Sequence, residues 1–95
     1  MNWTIKITPT AFNDLQKGID YYNGQQKGLG KKFNLAIKNM FNELKKTPAS
    51  GSFMYDNVRY RVLEQFPYII LYEIVENHTL AVYRIFHTSQ NPYWK

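Results

Sequence analysis

One run of eight residues constrains the fold of this chain more than any other part of its sequence. Tyr68–Val75 reads Tyr-Ile-Ile-Leu-Tyr-Glu-Ile-Val, so a strand formed here has apolar side chains on both of its faces. Such a strand lies inside a sheet and needs cover from another layer. The run therefore predicts an inner strand beneath helices. Its second face must also meet something, and a surface there rich in Tyr and Arg is a reasonable place for a ligand or partner.

The residues that precede this run supply the covering helices. Trp3–Thr8 alternates apolar and polar side chains, which predicts a short first strand. A helix is predicted over about Pro9–Tyr22, with a proline at its first position and Asn23-Gly24 after its end. A second helical stripe follows a glycine-punctuated connection and is ended by Pro48. The apolar members of this stripe are Phe33, Ile37, Met40 and Leu44.

From Ser52 onward the apolar pattern changes to a period of two, which indicates strands. Short connections of turn-forming residues predict that consecutive strands are antiparallel. The predicted strands contain Phe53 and Tyr55, then Val58, Tyr60 and Val62, then Tyr68 to Val75, then Thr79 to Phe86. We therefore expect one α+β domain over residues 1–95, made of an N-terminal strand, a helical hairpin and an antiparallel β-meander, with the helices on one face of the sheet.

The composition excludes several classes of protein. Hydrophobic residues make up 44% of the chain and aromatic residues 17%, which is far from the composition of a disordered protein. The absence of cysteine excludes disulfides, thiolate catalysis and cysteine-based metal sites. Neither a secretory signal nor a membrane-length apolar run is present, so we expect a cytoplasmic protein without a membrane partner. His78 has no companion ligand, and we expect neither a metal nor a cofactor.

The net charge of +5 is concentrated in the first half of the chain. Within the second helix, Lys31, Lys38 and Lys45 are seven residues apart and fall on one line, opposite the apolar stripe. Such a line is commonly a solvated face, but it also attracts nucleic acid or an acidic protein. We expect it to bind an acidic partner.

Arg59 and Arg61 are two residues apart on a predicted strand and so project from the same face. Two guanidinium groups at this spacing suit one phosphate or two neighbouring phosphates, as in nucleic acid. The alternative is that the pair keeps a sheet edge soluble or forms ion pairs with Glu64 and Glu73.

A second group of reactive side chains follows at the end of the last strand. Arg84, His87 and Tyr93 offer a cation, an imidazole and a phenol, which are the groups that cleave a phosphodiester by attack of a 2'-hydroxyl. Strict alternation places Arg84 and His87 on opposite faces, unless the strand ends or bulges between them. The alternative is a structural histidine at a strand end.

The chain resembles the ParE-like branch of the RelE/ParE toxin superfamily. The resembling signature is Arg-x-Leu-x-x-Phe-Pro-Tyr-x-Ile-x-Tyr-x-Val, which is matched by Arg61, Leu63, Phe66-Pro67-Tyr68, Ile70, Tyr72 and Ile74. Supporting matches are Tyr21-Tyr22, Gly28-Leu29-Gly30 with Phe33, Pro48 with Gly51 and Tyr55, and His87-Thr88 with Pro92 and Trp94. These residues span nearly the whole chain.

The resemblance implies a microbial ribonuclease-like α+β fold and the role of a toxin in a type II toxin–antitoxin, or plasmid-stabilisation, module. It implies a cognate antitoxin as partner, with an acidic or amphipathic segment that wraps the toxin. ParE-like members poison DNA gyrase, whereas RelE-like members are ribosome-dependent nucleases that cut messenger RNA. Because the two branches share a fold, the fold alone does not choose between these targets.

A comparison of single residues favours the ParE-like branch over the RelE-like branch. RelE-type nucleases resemble this chain at Arg61 and Arg84, and loosely at Tyr93, but their sheet lysines have no clear counterpart here. The tail departs from the ParE-like pattern as well, because Gln90-Asn91 replaces the Arg-Asp pair before Pro92. We therefore expect a non-catalytic gyrase inhibitor that arrests growth. The alternative is an mRNA interferase that uses Arg61, Arg84, His87 and Tyr93.

Overall fold

The computed structural model describes residues 2–90 and shows an α+β architecture, as the sequence predicts. Its helices and strands follow each other in the predicted order. They are β1 (Thr4–Ile7), α1 (Pro9–Gln25), α2 (Leu29–Lys46), β2 (Ser52–Tyr55), β3 (Val58–Val62), β4 (Tyr68–Val75) and β5 (Thr79–His87). Single 3-10 turns lie at Pro48–Ser50, between α2 and β2, and at Thr88–Gln90.

The strands form one five-stranded sheet in the order β1-β5-β4-β3-β2. Strands β2 to β5 make the predicted antiparallel meander. The first strand pairs in parallel with the last, with Thr4 opposite Thr79 and Ile7 opposite Val82. This pairing places β4 at the centre of the sheet, as its sequence predicts, and leaves the outer edge of β5, the one away from β4, unpaired beyond Val82.

The side chains of β4 enter two separate apolar layers. Ile70 and Tyr72 face the helical hairpin and join the main core, which also holds Phe33, Ile37 and Leu44 of α2. Ile69 and Leu71 face the other way and are 2% and 1% exposed, in a smaller cluster with Val58 and Phe86. The partly buried side chains around this smaller cluster are Met54, Tyr60 and Tyr83.

An aromatic cluster joins the hairpin to the start of β4. The Phe66 ring lies 4.9 Å from Tyr22 and 5.2 Å from Phe33, and the Tyr68 ring lies 4.7 Å from Phe33. The edge-to-face arrangement of Phe66 and Phe33 is one that aromatic rings prefer. The Phe66-Pro67-Tyr68 motif is therefore a packing element that fixes the loop before β4 against both helices.

Helix α1 runs to Gln25, three residues beyond the end predicted at Tyr22. Asn23 does not stop the helix, because its side chain oxygen accepts a hydrogen bond from the N–H of Gly30 at 2.9 Å. The chain turns instead at Gly28, whose φ of 86° is in the left-handed region that glycine favours. The Asn23 contact thus ties the end of α1 to the first turn of α2.

The Tyr72 hydroxyl connects the central strand to the turn between α2 and β2. This side chain is 0% exposed. Its hydroxyl donates to the carbonyl of Pro48 at 2.7 Å and accepts from the N–H of Gly51 at 2.9 Å. A Cβ atom at Gly51 would lie 2.5 Å from the hydroxyl oxygen, so no larger residue fits there without a shift.

We predict that Tyr72→Phe lowers the free energy of unfolding by about 1–3 kcal/mol, because the buried N–H and carbonyl lose their partner. Urea denaturation followed by circular dichroism measures this change. Tyr21→Phe is the matched control, since Tyr21 is 56% exposed. We expect the urea midpoint to fall for Tyr72→Phe and to stay at the wild-type value for Tyr21→Phe. Equal midpoints for the two variants would contradict the prediction.

Candidate functional site

Arg59 and Arg61 project from the same face of β3, on the side of the sheet that carries the helices. Their partners across the strand pair are Tyr72 and Ile70, both in the main core. The Arg59 guanidinium donates to the carbonyls of Ala49 at 3.0 Å and Gly51 at 2.8 Å. It also lies 4.0 Å from the centroid of the Phe53 ring. These contacts hold the turn between α2 and β2 against the sheet.

Arg61 makes its ion pair with helix α2. Its Nη2 atom lies 2.7 Å from Oε1 of Glu43, and its Nη1 atom donates to the Ser50 hydroxyl at 2.7 Å. The alternative interpretation named Glu64 and Glu73 as the carboxylate partners and is wrong on that point. Glu73 faces the other side of the sheet, where its carboxylate accepts from the hydroxyl of Tyr83 at 2.7 Å. Arg61 thus has a structural partner that no local sequence pattern indicates.

Arg84 lies on the part of β5 that pairs with β4 but no longer with β1. The register between β4 and β5 shifts at this level, because Leu71 is opposite Arg84 whereas Tyr72 is opposite Val82. A bulge of this kind re-aims side chains at a sheet edge. Here the Nε and Nη2 atoms of Arg84 lie 2.7 and 3.2 Å from the two carboxylate oxygens of Asp14.

Asp14 also satisfies the backbone of this edge. Its Oδ2 atom accepts the N–H of Ile85 at 3.1 Å, and its side chain is only 13% exposed. One turn earlier, the Thr8 hydroxyl donates to the carbonyl of Tyr83 at 3.2 Å and caps α1 by accepting from Ala11. Side chains of α1 therefore take the place of a sixth strand along this edge.

His87 and Arg84 line the same cavity, between α1 and β5. The Nδ1 atom of His87 accepts from the N–H of Ser89 at 3.1 Å, and the Ser89 hydroxyl lies 2.7 Å from it. The ring stands edge-on to Tyr68, with a centroid distance of 5.4 Å. The register from Arg84 to His87 is regular, so the two residues lie on opposite faces of β5, as strict alternation predicts. Arg84 reaches the cavity of His87 around the open edge of the strand, where its guanidinium meets Asp14 of α1.

The candidate catalytic residues are divided between two places. Arg61 lines a depression beside α2 together with Glu43 and Glu64, whereas Arg84 and His87 line the cavity beside α1. Strand β4 lies between the two, so the backbones are separated by two strand spacings, about 10 Å. Tyr93, the fourth candidate, lies outside the described residues.

The lysine line on α2 is exposed at Lys31, Lys38 and Lys45. Between the first two of these lysines lies Leu35, which is 57% exposed. The sequence pattern assigned no role to this leucine, although its place between Lys31 and Lys38 at helical spacing was visible. The surface thus combines positive charge with one apolar contact.

Residues 2–90 contain no group of three or more His, Asp or Glu side chains placed to hold a metal ion. Over the same residues no helix has the length and apolar character to cross a bilayer. Burial raises the pKa of Tyr68, with smaller contributions from Tyr22, Tyr21 and Asp14. The hydrogen bond to Glu73 is the main reason that the pKa of Tyr83 is raised.

We predict that Asp14→Asn lowers the free energy of unfolding by about 1–2 kcal/mol, because it removes a charged partner of Arg84 while the Arg84 side chain stays partly in water. Thermal or urea denaturation measures the loss. Asp20→Asn, at an exposed site on the same helix, serves as control and is expected to keep the wild-type midpoint. If Asp14→Asn is as stable as the control variant, the Asp14 contacts do not hold the edge.

Two kinds of comparison with known proteins bear on these observations. Residues 5–92 match the family model described as ParE toxin of type II toxin-antitoxin system, parDE. A search of curated proteins finds no match. A solved structure of a chromosomal ParDE toxin–antitoxin system from P. aeruginosa is similar, with 21% identity, coverage of 90% of this chain and 95% of that one, and a TM-score of 0.77.

A second similar structure is the toxin–antitoxin complex RelBE2 from Mycobacterium tuberculosis. The two chains are 21% identical, the similarity covers 92% of this chain and 99% of that one, and the TM-score is 0.65. At this identity the two structures show a shared fold. The match to the family model covers most of the sequence, and the chain therefore belongs to the ParE toxin family of type II toxin–antitoxin systems.

Proposed function

We propose that this ParE-family toxin arrests growth by binding and inhibiting DNA gyrase in the cytoplasm, without catalysing a reaction, and that residues 1–95 act as one toxin domain. The supporting observation is the division of the candidate nuclease residues between two places. Arg61 pairs with Glu43 beside α2, and Arg84 pairs with Asp14 beside α1. Cleavage of a phosphodiester needs the acid, the base and the stabilising cations together at one phosphate, and this arrangement keeps Arg61 apart from Arg84 and His87.

The contacts of these side chains support the same proposal. Each of the two arginines already faces a carboxylate at 2.7 Å, so a phosphate would have to compete with that carboxylate for the guanidinium donors. Arg59 is bound to two backbone carbonyls and stacks on Phe53, which uses its donors to hold a turn. For Arg59 and Arg61, phosphate binding therefore stays a weaker hypothesis than a structural role.

The gyrase target rests on the ParE-like signature, since ParE-like members resemble this chain more closely than RelE-like nucleases do. The rival function is a ribosome-dependent endoribonuclease. One observation favours it: Arg84 and His87 share a cavity. Replacement of His87 would abolish the activity of such a nuclease, because the imidazole transfers a proton during cleavage. The same replacement would leave a gyrase inhibitor active, because inhibition by binding transfers no proton.

We predict that the purified toxin inhibits supercoiling by gyrase and that His87→Ala inhibits it equally well. His87 is a suitable site, since within residues 2–90 its ring contacts Ser89 and Tyr68 and makes no ion pair. A supercoiling and DNA-cleavage assay over a wide toxin concentration range measures inhibition, and messenger RNA in a translation mix serves as the parallel substrate. Cleavage of the message by the wild type but not by His87→Ala, with gyrase unaffected, would falsify the proposal.

The antitoxin is proposed to bind the lysine line of α2. The two structural relatives are toxin–antitoxin systems, which supports an antitoxin partner for this chain. Three exposed lysines favour an acidic segment, and Leu35 offers that segment an apolar contact at the middle of the line. Complementary charge of this kind accelerates association more than it strengthens the final complex.

We predict that the Lys31→Glu, Lys38→Glu double variant associates about tenfold more slowly with the antitoxin encoded beside it, because like charges then meet. Surface plasmon resonance at two salt concentrations measures the rate, and the difference from wild type should shrink as salt rises. Lys6→Glu, exposed on β1, is the control with a reversed charge elsewhere. If the association rate falls equally in Lys6→Glu, the effect is not specific to the lysine line of α2, and the proposed antitoxin site is wrong.

A further inference from the structure

The cavity between α1 and β5 is lined by polar and aromatic side chains to which the proposed inhibition of gyrase assigns no role. Its volume is about 530 Å³, which is within the range of small-molecule sites. The lining residues are Asp14, Lys17, Gly18, Tyr21, Tyr68, Arg84, Ile85, Phe86, His87 and Ser89. Gly18 lets α1 pack closely on the core beneath the cavity, since a Cβ atom there would lie 2.5 Å from the Phe33 ring.

Tyr68 points to a ligand in this cavity. Its side chain is 8% exposed, yet across residues 2–90 its hydroxyl has no hydrogen-bond partner. Because Tyr68 lines the cavity, its hydroxyl meets whatever fills this space, and a phenol in such a place normally has a hydrogen-bond partner. The hydroxyl of Tyr72 shows the usual situation, with one donor and one acceptor in place. Within residues 2–90 no group pairs with the Tyr68 hydroxyl, which leaves it available to water or a ligand in the cavity.

Two further donors line the same cavity. Lys17 is exposed, and within the described part of the chain it makes no ion pair. His87 accepts the Ser89 N–H at Nδ1, so the neutral ring carries its proton on Nε2 and can donate from there. The Asp14 carboxylate is already bound to Arg84 and to the N–H of Ile85, which reduces its repulsion of an anion.

We propose that the α1–β5 cavity binds a phosphate monoester attached to a flat ring, as in a nucleoside 5'-monophosphate. Lys17, His87 and Tyr68 provide three donors, which match the three terminal oxygens of a phosphate monoester better than the two of a carboxylate. Tyr21, 56% exposed at the cavity wall, offers a face on which the ring stacks. No bond is made or broken in this binding.

The experiment is a titration of the purified full-length chain by isothermal calorimetry with adenosine monophosphate, inorganic phosphate and adenosine. We expect adenosine monophosphate to bind with a dissociation constant of about 1 mM or below. Inorganic phosphate is expected to bind more weakly, because it lacks the ring, and adenosine more weakly still, because it lacks the charge. Equal affinities for adenosine and adenosine monophosphate overturn the assignment of the three donors to phosphate.

Variants connect the binding to the cavity. Lys17→Gln and Tyr68→Phe are each expected to weaken adenosine monophosphate binding about tenfold, the effect of one lost hydrogen bond to a charged group. Lys6→Gln removes a lysine from an exposed position on β1 and is expected to bind like the wild type. A loss in Lys6→Gln as large as that in Lys17→Gln shows non-specific charge attraction and overturns the proposal.

Lys17→Gln keeps the test decisive if Tyr68→Phe fails to fold, since Lys17 is exposed and its removal leaves the core intact. Absence of any heat with adenosine monophosphate up to about 10 mM, where even weak complexes form, also overturns the proposal. The gyrase assay uses no nucleoside monophosphate. Failure of this proposal therefore leaves the proposed toxin target untouched, and the reverse is also true.

Discussion

The fold depends on the helical hairpin that covers one face of the central strand β4. The Tyr72 hydroxyl fixes the turn through which this hairpin connects to the sheet. Tyr72 is fully buried and yet polar, so it must meet hydrogen-bond partners inside the core. It finds them in Pro48 and Gly51, the two ends of the turn that leads from α2 into β2. The direction in which the chain leaves the hairpin and enters the meander is therefore set by one phenol.

A second buried polar group controls the opposite edge of the sheet. Strand β1 covers only the first half of β5, and an open edge of this kind exposes backbone groups to foreign strands. The Asp14 carboxylate accepts a hydrogen bond from the N–H of Ile85 and orients Arg84. The Thr8 hydroxyl donates to the carbonyl of Tyr83. The same contacts that protect the edge bring the Arg84 guanidinium around it to Asp14 of α1. The chemistry available at the end of β5 is thus a consequence of how the edge is closed.

Sequence periodicity predicted the order and type of all seven main elements, because each of them carries a strong local pattern. It could not predict that β1 pairs in parallel with β5, since that pairing joins residues more than 70 positions apart. The end of α1 was misplaced because Asn23 caps α2 instead of stopping its own helix. The sequence also does not predict that Arg61 pairs with Glu43 and Arg84 with Asp14. Both contacts join residues far apart in the chain, as the pairing of β1 with β5 does.

The position of the two ion pairs bears on how one fold serves two kinds of toxin. Arg61 and Arg84 lie on the two strands that flank β4 but on opposite faces of the sheet, since Arg61 is opposite Ile70 and Arg84 is opposite Leu71. Here each is turned by a carboxylate from a different helix of the hairpin, Glu43 on α2 and Asp14 on α1. In this chain the helices, rather than the sheet alone, therefore determine where the two guanidinium groups lie.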